Sequence, residues 1–175
     1  MTATRPLIAV LFGFIASACA PEPAQVTETN PLNTTATVAE SDSRGSLVTE
    51  NPSMIVHKSA SCGCCNEWVK HMKKHGFAVA VNDVDNMDSV KERVGIPVGM
   101  GSCHTGEVAG YFIEGHVPAE DVQRLLKEKP DAKGLTVPRM PIGSPGMESG
   151  DQREPYDVFL VHKDGTTSVY AHHGE

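Results

Sequence analysis

Hydrophobic and polar positions follow a pattern that predicts alternating strands and helices from about residue 54 onward. Residues 54–58 predict a short strand, and residues 66–75 predict a helix with apolar side chains at helical spacing. Residues 77–84 are mostly apolar, which predicts a strand buried on both faces. Residues 87–94 predict a second helix, which Gly95 ends.

The second half of the chain continues this pattern. Residues 107–113 predict one strand, and residues 118–129 predict a helix with a proline and two acidic residues in its first turn. Residues 156–162 and 166–171 predict a C-terminal β-hairpin. Residues 130–155 contain five prolines and four glycines, which predicts a long ordered loop folded back over the domain. The expected fold is an α/β, thioredoxin-like sandwich with this Gly/Pro loop and the terminal hairpin.

The N-terminus resembles an export signal. Residues 1–18 combine the basic Arg5, an apolar run too short to span a bilayer, and small residues before Cys19. The segment around Cys19 resembles a bacterial lipobox, which predicts lipidation of its thiol, and Ala20 then favours the outer membrane. An ordinary signal peptidase would also accept the Ala-Ser-Ala sequence, leaving Cys19 as a free thiol.

The composition changes after this segment. Residues 19–52 are rich in Thr, Pro, Ser and Glu and have no aromatic residue, so we interpret them as a disordered tether. Residues 53–175 are the predicted folded domain. The net charge of -7 and the lack of a Lys/Arg cluster argue against nucleic acid as a partner and against binding to anionic membrane surfaces. We expect membrane contact only through a lipid on Cys19.

Three thiols occur within four residues, at Cys62, Cys64 and Cys65, immediately before the first predicted helix. The C-x-x-C spacing of Cys62 and Cys65 places two sulfurs at the start of a helix, where thiolate is favoured. A dithiol pair needs only two sulfurs. The third therefore indicates either a soft-metal site or a redox site with an unusual resolving arrangement, and Cu(I) prefers two to four thiolates.

Cys103 is a further thiol in the loop before the predicted third strand. In a thioredoxin-like fold this loop runs close to the C-x-x-C turn, so Cys103 is a candidate fourth ligand. Two structural disulfides and a zinc site remain alternatives. His104 and Met147 are weaker metal candidates, since a lone loop histidine is often just solvated and a methionine often fills a core gap.

His71 and His75 have the i, i+4 spacing of a chelating pair. Three lysines surround them on the same helix, which favours a solvated helix face instead of a metal site.

Several motifs together resemble the DUF411 family of bacterial periplasmic proteins associated with copper resistance. They are KSASCGCC at 58–65, GSCHT at 101–105, GHVP at 115–118, VPRMPIGSPGM at 137–147 and YDV at 156–158. The resemblance implies a thioredoxin-like domain in which the C-x-C-C cysteines and a later lone cysteine bind copper. Carried onto this sequence, those residues are Cys62, Cys64, Cys65 and Cys103.

The leading hypothesis is an exported copper-binding protein of copper homeostasis and detoxification, which holds Cu(I) through these four cysteines. We expect it in the periplasm, anchored to the outer membrane as a lipoprotein, with other periplasmic copper-handling proteins as possible partners. An alternative hypothesis is a copper or thiol-disulfide oxidoreductase in which Cys62 and Cys65 cycle between dithiol and disulfide. A third is a disulfide-stapled adaptor on the outer membrane.

Overall fold

The computed structural model describes residues 51–175, which form a mixed α/β domain with a seven-stranded sheet and three helices. The strands are β1 (Ser53–Lys58), β2 (Ala78–Asp83), β3 (His104–Val108), β4 (Tyr111–Glu114), β5 (Ala132–Thr136), β6 (Tyr156–His162) and β7 (Thr167–His173). The helices are α1 (Gly63–Lys74), α2 (Met87–Val94) and α3 (Ala119–Glu128). The predicted α/β class is confirmed. The predicted signal segment, Cys19 and nearly all of the predicted tether lie outside the described residues.

The strands lie in the order β2-β1-β3-β4-β5-β6-β7. The β1–β2 and β4–β5 pairs are parallel, and the other neighbouring pairs are antiparallel. Each parallel pair is joined through a helix, α1 in the first case and α3 in the second, because parallel strands need a crossover connection. The start of α1 therefore lies just beyond the end of β1, which lies between β2 and β3 in the sheet.

The main core lies between one face of the sheet and helices α1 and α3. Trp68 of α1 and Leu125 of α3 are fully buried against Val56 and Ile113 of the sheet. The Trp68 indole N–H also donates to the Val117 carbonyl oxygen at 2.9 Å, so its polar group is satisfied inside the core. Burying apolar side chains of this size stabilises the fold by about 1.5–3 kcal/mol each.

Helix α2 packs on the opposite face of the sheet. Arg93 of this helix bonds the Glu107 carboxylate on β3, and the same carboxylate lies 2.8 Å from His57 Nε2 on β1. The Asn86 side chain caps α2 by accepting the Asp88 N–H at 2.9 Å. None of the helices in the described part of the chain has the length and hydropathy needed to cross a bilayer.

The prediction of a strand buried on both faces at residues 77–84 is wrong. The observed β2 is an edge strand, and five of its six residues are exposed. A run of alanines and valines has the composition of a central strand, but only the topology decides which strand lies at an edge.

The predicted single strand at 107–113 is two strands. β3 and β4 pair as a hairpin whose turn is Ala109 and Gly110, with φ of 48° and 85°. Positive φ at both central residues is typical of a two-residue hairpin turn. The sequence interpretation missed it because Ala109 replaces the Asn or Asp that usually signals this turn.

Strand β5 lies inside the segment 130–155 that the sequence predicts to be a loop. It pairs with both β4 and β6, and at Gly134 an added Cβ would lie 2.0 Å from the Phe112 carbonyl oxygen. The close approach of β4 therefore requires glycine at this position. Glycine is the reason that the segment does not have the composition of a strand.

Candidate functional site

The three clustered cysteines lie at the N-terminal end of α1. Cys62 is the N-cap residue, with extended backbone angles, and Cys64 and Cys65 belong to the first turn. The helix begins at Gly63, three residues before the predicted start. Backbone N–H groups without helical acceptors give this end of the helix a partial positive charge, which favours thiolate over thiol.

The four cysteine sulfurs of the described chain converge at this point. Cys62 and Cys65 form a disulfide, while Cys64 and Cys103 have free thiols. The Cys64 sulfur lies 3.6 Å from that of Cys62 and 3.8 Å from that of Cys103. All four sulfurs lie within 4.8 Å of one another. The structure thus brings together the four residues that the sequence singles out as metal candidates.

A buried carboxylate positions the loop that holds Cys103. Glu114 at the end of β4 accepts the Ser102 N–H at 2.6 Å and the Thr105 hydroxyl at 2.6 Å, and it forms an ion pair with Lys91. These bonds fix the backbone on both sides of Cys103. The thiol is therefore held against α1 by the sheet and not by a flexible loop alone.

His116 is a site residue to which the sequence interpretation gave no role. Its Nε2 lies 3.5 Å from the Cys103 sulfur, and its Nδ1–H donates to the Pro145 carbonyl oxygen at 2.8 Å. This hydrogen bond leaves the Nε2 lone pair directed at the sulfurs, an arrangement common among metal-binding histidines. The hairpin register explains this position, because the last pair is Thr105 with Glu114, and Cys103 and His116 each lie two residues beyond it on neighbouring strands.

His104 lies beside the cluster but is fully buried. Its Nδ1 is 3.6 Å from the Cys103 sulfur, and its ring packs against Trp68 at a centroid distance of 4.5 Å. Among the described residues its Nε2 has no hydrogen-bond partner, although it is buried. Cys103, His104 and His116 together have ligand atoms within 4.8 Å of one another.

The segment after β5 covers the start of α1. At Gly146, with φ of 85°, an added Cβ would lie 2.7 Å from the backbone nitrogen of Trp68 and 2.8 Å from the Cys64 carbonyl oxygen. The backbone of this segment therefore lies directly on the first turn of the helix. Met147, the weaker thioether candidate, is half-buried next to Gly146, and its N–H donates to the Ser144 carbonyl oxygen at 2.8 Å.

Burial controls the protonation of the site. It raises the pKa of the Cys103 thiol to about 11, and the neighbouring Cys64 adds to the effect. Burial also lowers the pKa of His116, although its bond to Pro145 opposes the shift, and it lowers the pKa of His104 well below the ordinary value. At neutral pH the site therefore contains a neutral Cys103 thiol and neutral imidazoles. The imidazoles can bind a metal in this form, whereas the thiol must first lose its proton.

The set of donors suits a soft cation. Thiolates select Cu(I) and zinc, and imidazole accepts either, whereas the hard cations Mg²⁺ and Ca²⁺ prefer oxygen ligands. In the disulfide form only Cys64, Cys103 and the imidazoles are available. The disulfide pair also has a free thiol 3.6 Å away, which is the arrangement needed for thiol-disulfide exchange.

The chain is similar to solved structures of the same fold. A structure described as "Copper resistance protein copG- Form 2" is 47% identical, with a TM-score of 0.69 over 71% of this chain and 99% of that chain. A second, described as "Copper resistance protein copG- Form 1", is 46% identical with a TM-score of 0.69 over 72% and 100%. The family model described as "Protein of unknown function, DUF411" matches residues 100–147. The chain belongs to the DUF411 family. No curated protein matches it.

The DUF411 match covers one half of the site. Residues 100–147 contain Cys103, His104, His116 and Met147, whereas the cysteines of α1 precede the matched segment. The much longer match to the two solved structures extends over most of the described domain. The family resemblance suggested by the sequence motifs is therefore confirmed.

Proposed function

We propose that this chain is an exported copper-binding protein of copper homeostasis and detoxification, which holds Cu(I) through Cys62, Cys64, Cys65 and Cys103. The observation that supports it best is the convergence of four sulfurs within 4.8 Å at a helix start. The names of its 47% and 46% identical relatives, both copper resistance proteins, favour copper over zinc. His116 and His104 add imidazole nitrogens at the same place, and residues 140–147 shield it from solvent.

Reduction of the disulfide is a condition of full binding in this proposal. Thiolate is the ligand, and a disulfide sulfur donates poorly. Two electrons and two protons convert the Cys62–Cys65 disulfide to two thiols, and each thiol releases its proton when it binds the metal. The oxidised and reduced forms should therefore differ in copper capacity.

The test is an anaerobic titration of the reduced protein with Cu(I), in competition with a chromophoric Cu(I) chelator. We expect saturable binding that outcompetes the chelator, and its loss when the four cysteines are replaced by serine. Cys19→Ser is the matched control and should bind as the parent does. If the quadruple variant binds Cu(I) as tightly as the parent, the proposal is wrong.

A second candidate is a copper or thiol-disulfide oxidoreductase that uses the same cysteines. The disulfide between Cys62 and Cys65, with the free Cys64 thiol 3.6 Å from Cys62, favours this alternative. Multiple turnovers of an external disulfide with a thiol as reductant, or of Cu(I) to Cu(II) with dioxygen as electron acceptor, that disappear in Cys62→Ser would support it. Stoichiometric copper binding without turnover would contradict it and leave the binding proposal in place.

The domain organisation completes the proposal. Residues 1–18 act as a lipoprotein signal, residues 19–52 form a tether from a lipid on Cys19, and residues 53–175 form a thioredoxin-like domain in the periplasm. The β1-α1-β2 unit with cysteines at its first turn supports the thioredoxin-like comparison. Mass spectrometry of the membrane fraction should find acylated Cys19, and Cys19→Ala should release the protein into the soluble fraction. Other periplasmic copper-handling proteins would then deliver or receive the metal.

A further inference from the structure

A second group of potential metal ligands lies at the opposite end of α1 from the cysteines. His71 and His75 of α1 and Glu120 of α3 have ligand atoms within 4.8 Å of one another. His71 follows Cys64 by seven residues, which is about 10 Å along a helix axis. The two groups share no residue. Whatever this second group binds does not depend on the thiols.

His75 is oriented as a metal ligand. It is the C-cap residue of α1, and its Nδ1–H donates to the His71 carbonyl oxygen at 2.8 Å. That bond fixes the tautomer and leaves the lone pair on Nε2, which lies 3.3 Å from the Glu120 carboxylate. A ring nitrogen and a carboxylate oxygen at this separation can bind one cation between them after a small rotation of the two side chains.

His71 supplies the third donor. Its ring lies 4.3 Å from the His75 ring, centroid to centroid, and its Nε2 accepts the Ala119 N–H at 3.1 Å. Ala119 is the first residue of α3, so its N–H has no acceptor within the helix. A cation on His71 Nε2 displaces this one hydrogen bond, and the fully buried Ala119 N–H must then find another acceptor.

The ends of the two helices are already joined at this point. The Gln123 side-chain amide donates to the His75 carbonyl oxygen at 3.0 Å, in addition to the bond from Ala119 to His71. The ligands are therefore positioned before a cation arrives. The carbonyl end of α1 also carries a partial negative charge, which favours a cation.

We propose that His71, His75 and Glu120 form a second metal site, which takes a divalent cation of borderline softness, Cu(II) or Zn(II). Two imidazoles and a carboxylate suit these cations, whereas Cu(I) prefers the sulfurs at the other end of the helix. Glu120 is exposed, so water can complete the coordination. Of the two cations Cu(II) should bind more tightly, since it forms the stronger complexes with a given set of nitrogen and oxygen ligands.

The test uses the full chain with Cys19, Cys64 and Cys103 replaced by serine and the Cys62–Cys65 disulfide intact. Cu(II) is titrated by calorimetry, and the bound ion is examined by electron paramagnetic resonance. We expect one Cu(II) per chain with nitrogen hyperfine coupling from two imidazoles. His71→Gln or His75→Gln should weaken binding at least about tenfold, the loss typical of disturbing a metal ligand. Glu120→Gln should weaken it less.

The matched control is His172→Gln, which removes another histidine paired with a carboxylate, that of Asp157. It should leave the affinity unchanged. Equal affinity in the parent and His75→Gln, or an equal loss in His172→Gln, would overturn the proposal. So would the absence of imidazole coupling in the bound ion.

A second measurement follows from the bond that the cation must replace. Zn(II), which is diamagnetic, should shift the Ala119 amide resonance and speed its hydrogen exchange as it saturates the site. In His71→Gln the glutamine oxygen can still accept the Ala119 N–H, so this variant should remain folded while losing the Zn(II)-dependent shift. An Ala119 resonance that does not respond to Zn(II) would count against the site. Since the tested chain lacks the free thiols, the result is independent of the Cu(I) proposal.

Discussion

The Glu114 carboxylate is fully buried and accepts hydrogen bonds from residues on both sides of Cys103. Lys91 of α2 supplies the opposite charge, and its side chain is only 17% exposed. Without the carboxylate, the Ser102 N–H, the Thr105 hydroxyl and the ammonium would lose their common partner, which is costly inside a protein. One acidic residue therefore connects the stability of the fold to the position of a proposed ligand.

Glu114→Gln is expected to lower the free energy of unfolding by about 3 kcal/mol, because it leaves Lys91 largely buried without a counter-charge. Urea denaturation measures the change. The control is Glu67→Gln on α1, whose carboxylate is 54% exposed and pairs with the exposed Lys70. An exposed pair contributes about 0.2–1 kcal/mol. Equal losses in the two variants would show that Glu114 has no special structural role.

The Cys103 thiol should react slowly at neutral pH. Burial, assisted by Cys64, raises its pKa to about 11 from an ordinary value of 9.0, so the reactive thiolate is scarce below pH 9. In the disulfide form, the rate of iodoacetamide labelling at Cys103 should keep rising between pH 9 and 11. Peptide mass spectrometry follows it site by site.

Cys64→Ser is the control for this labelling experiment. It removes the neighbouring thiol group while leaving Cys103 buried, so the midpoint of the labelling curve should move to lower pH. A labelling curve whose midpoint lies near pH 9 in the parent would contradict the raised pKa, since that is the behaviour of an unperturbed thiol.

Among the elements, the helices could be predicted from sequence because their ends carry local signals. Helix α2 spans the predicted residues 87–94, because the Asn86 side chain caps its start and Gly95 ends it. Helix α1 was predicted on the correct face, with Trp68 and Met72 buried, although it begins earlier than predicted. Helix signals of this kind depend on neighbouring residues only.

The strand predictions were weaker because strand pairing depends on distant residues. The prediction of one strand at residues 107–113 does not include the Ala109–Gly110 turn, and so it does not include the β3–β4 hairpin that brings His116 close to Cys103. The cysteines of the site could be found from residue type and spacing alone. His116 could not be found in this way, because its closeness to the sulfurs can be inferred only from the register of the β3–β4 hairpin.

The segment over α1 depends on Gly146. Gly146→Ala should cost about 1–2 kcal/mol for the left-handed backbone and more for the clash of its Cβ with Trp68 and Cys64 backbone atoms. The segment should lift from the helix, and Cys64 should be labelled faster by iodoacetamide. Thermal unfolding and labelling rates measure the two effects.

Gly150→Ala is the matched control for this prediction. It lies in the same segment, also has a positive φ, of 54°, and an added Cβ there meets no atom within 4 Å. Gly150→Ala should therefore lose only the stability that a left-handed backbone costs, and it should leave the labelling rate of Cys64 unchanged. If both variants label alike, contact at Gly146 does not cover the site.

At the scale of the whole molecule, the sheet and its core stabilise the fold, and the disulfide contributes little. Cys62 and Cys65 are three residues apart, so their bond closes a very short loop of the unfolded chain. Closing a loop of this length stabilises a protein by about 2 kcal/mol in the chain-entropy model. The core around Trp68 and Leu125 does not involve the bond between the two sulfurs.

The domain should therefore remain folded when it is reduced, and copper should restore its stability. Reduction by a phosphine should lower the free energy of unfolding by no more than about 2 kcal/mol. Cu(I) at 100 times its dissociation constant should then raise it by about 2.7 kcal/mol, because the metal binds the folded state alone. Cys62→Ser/Cys65→Ser should fold like the reduced parent but show a much smaller rise with Cu(I). Unfolding upon reduction would show that the disulfide is structural, and the four sulfurs could then not act together as a copper site.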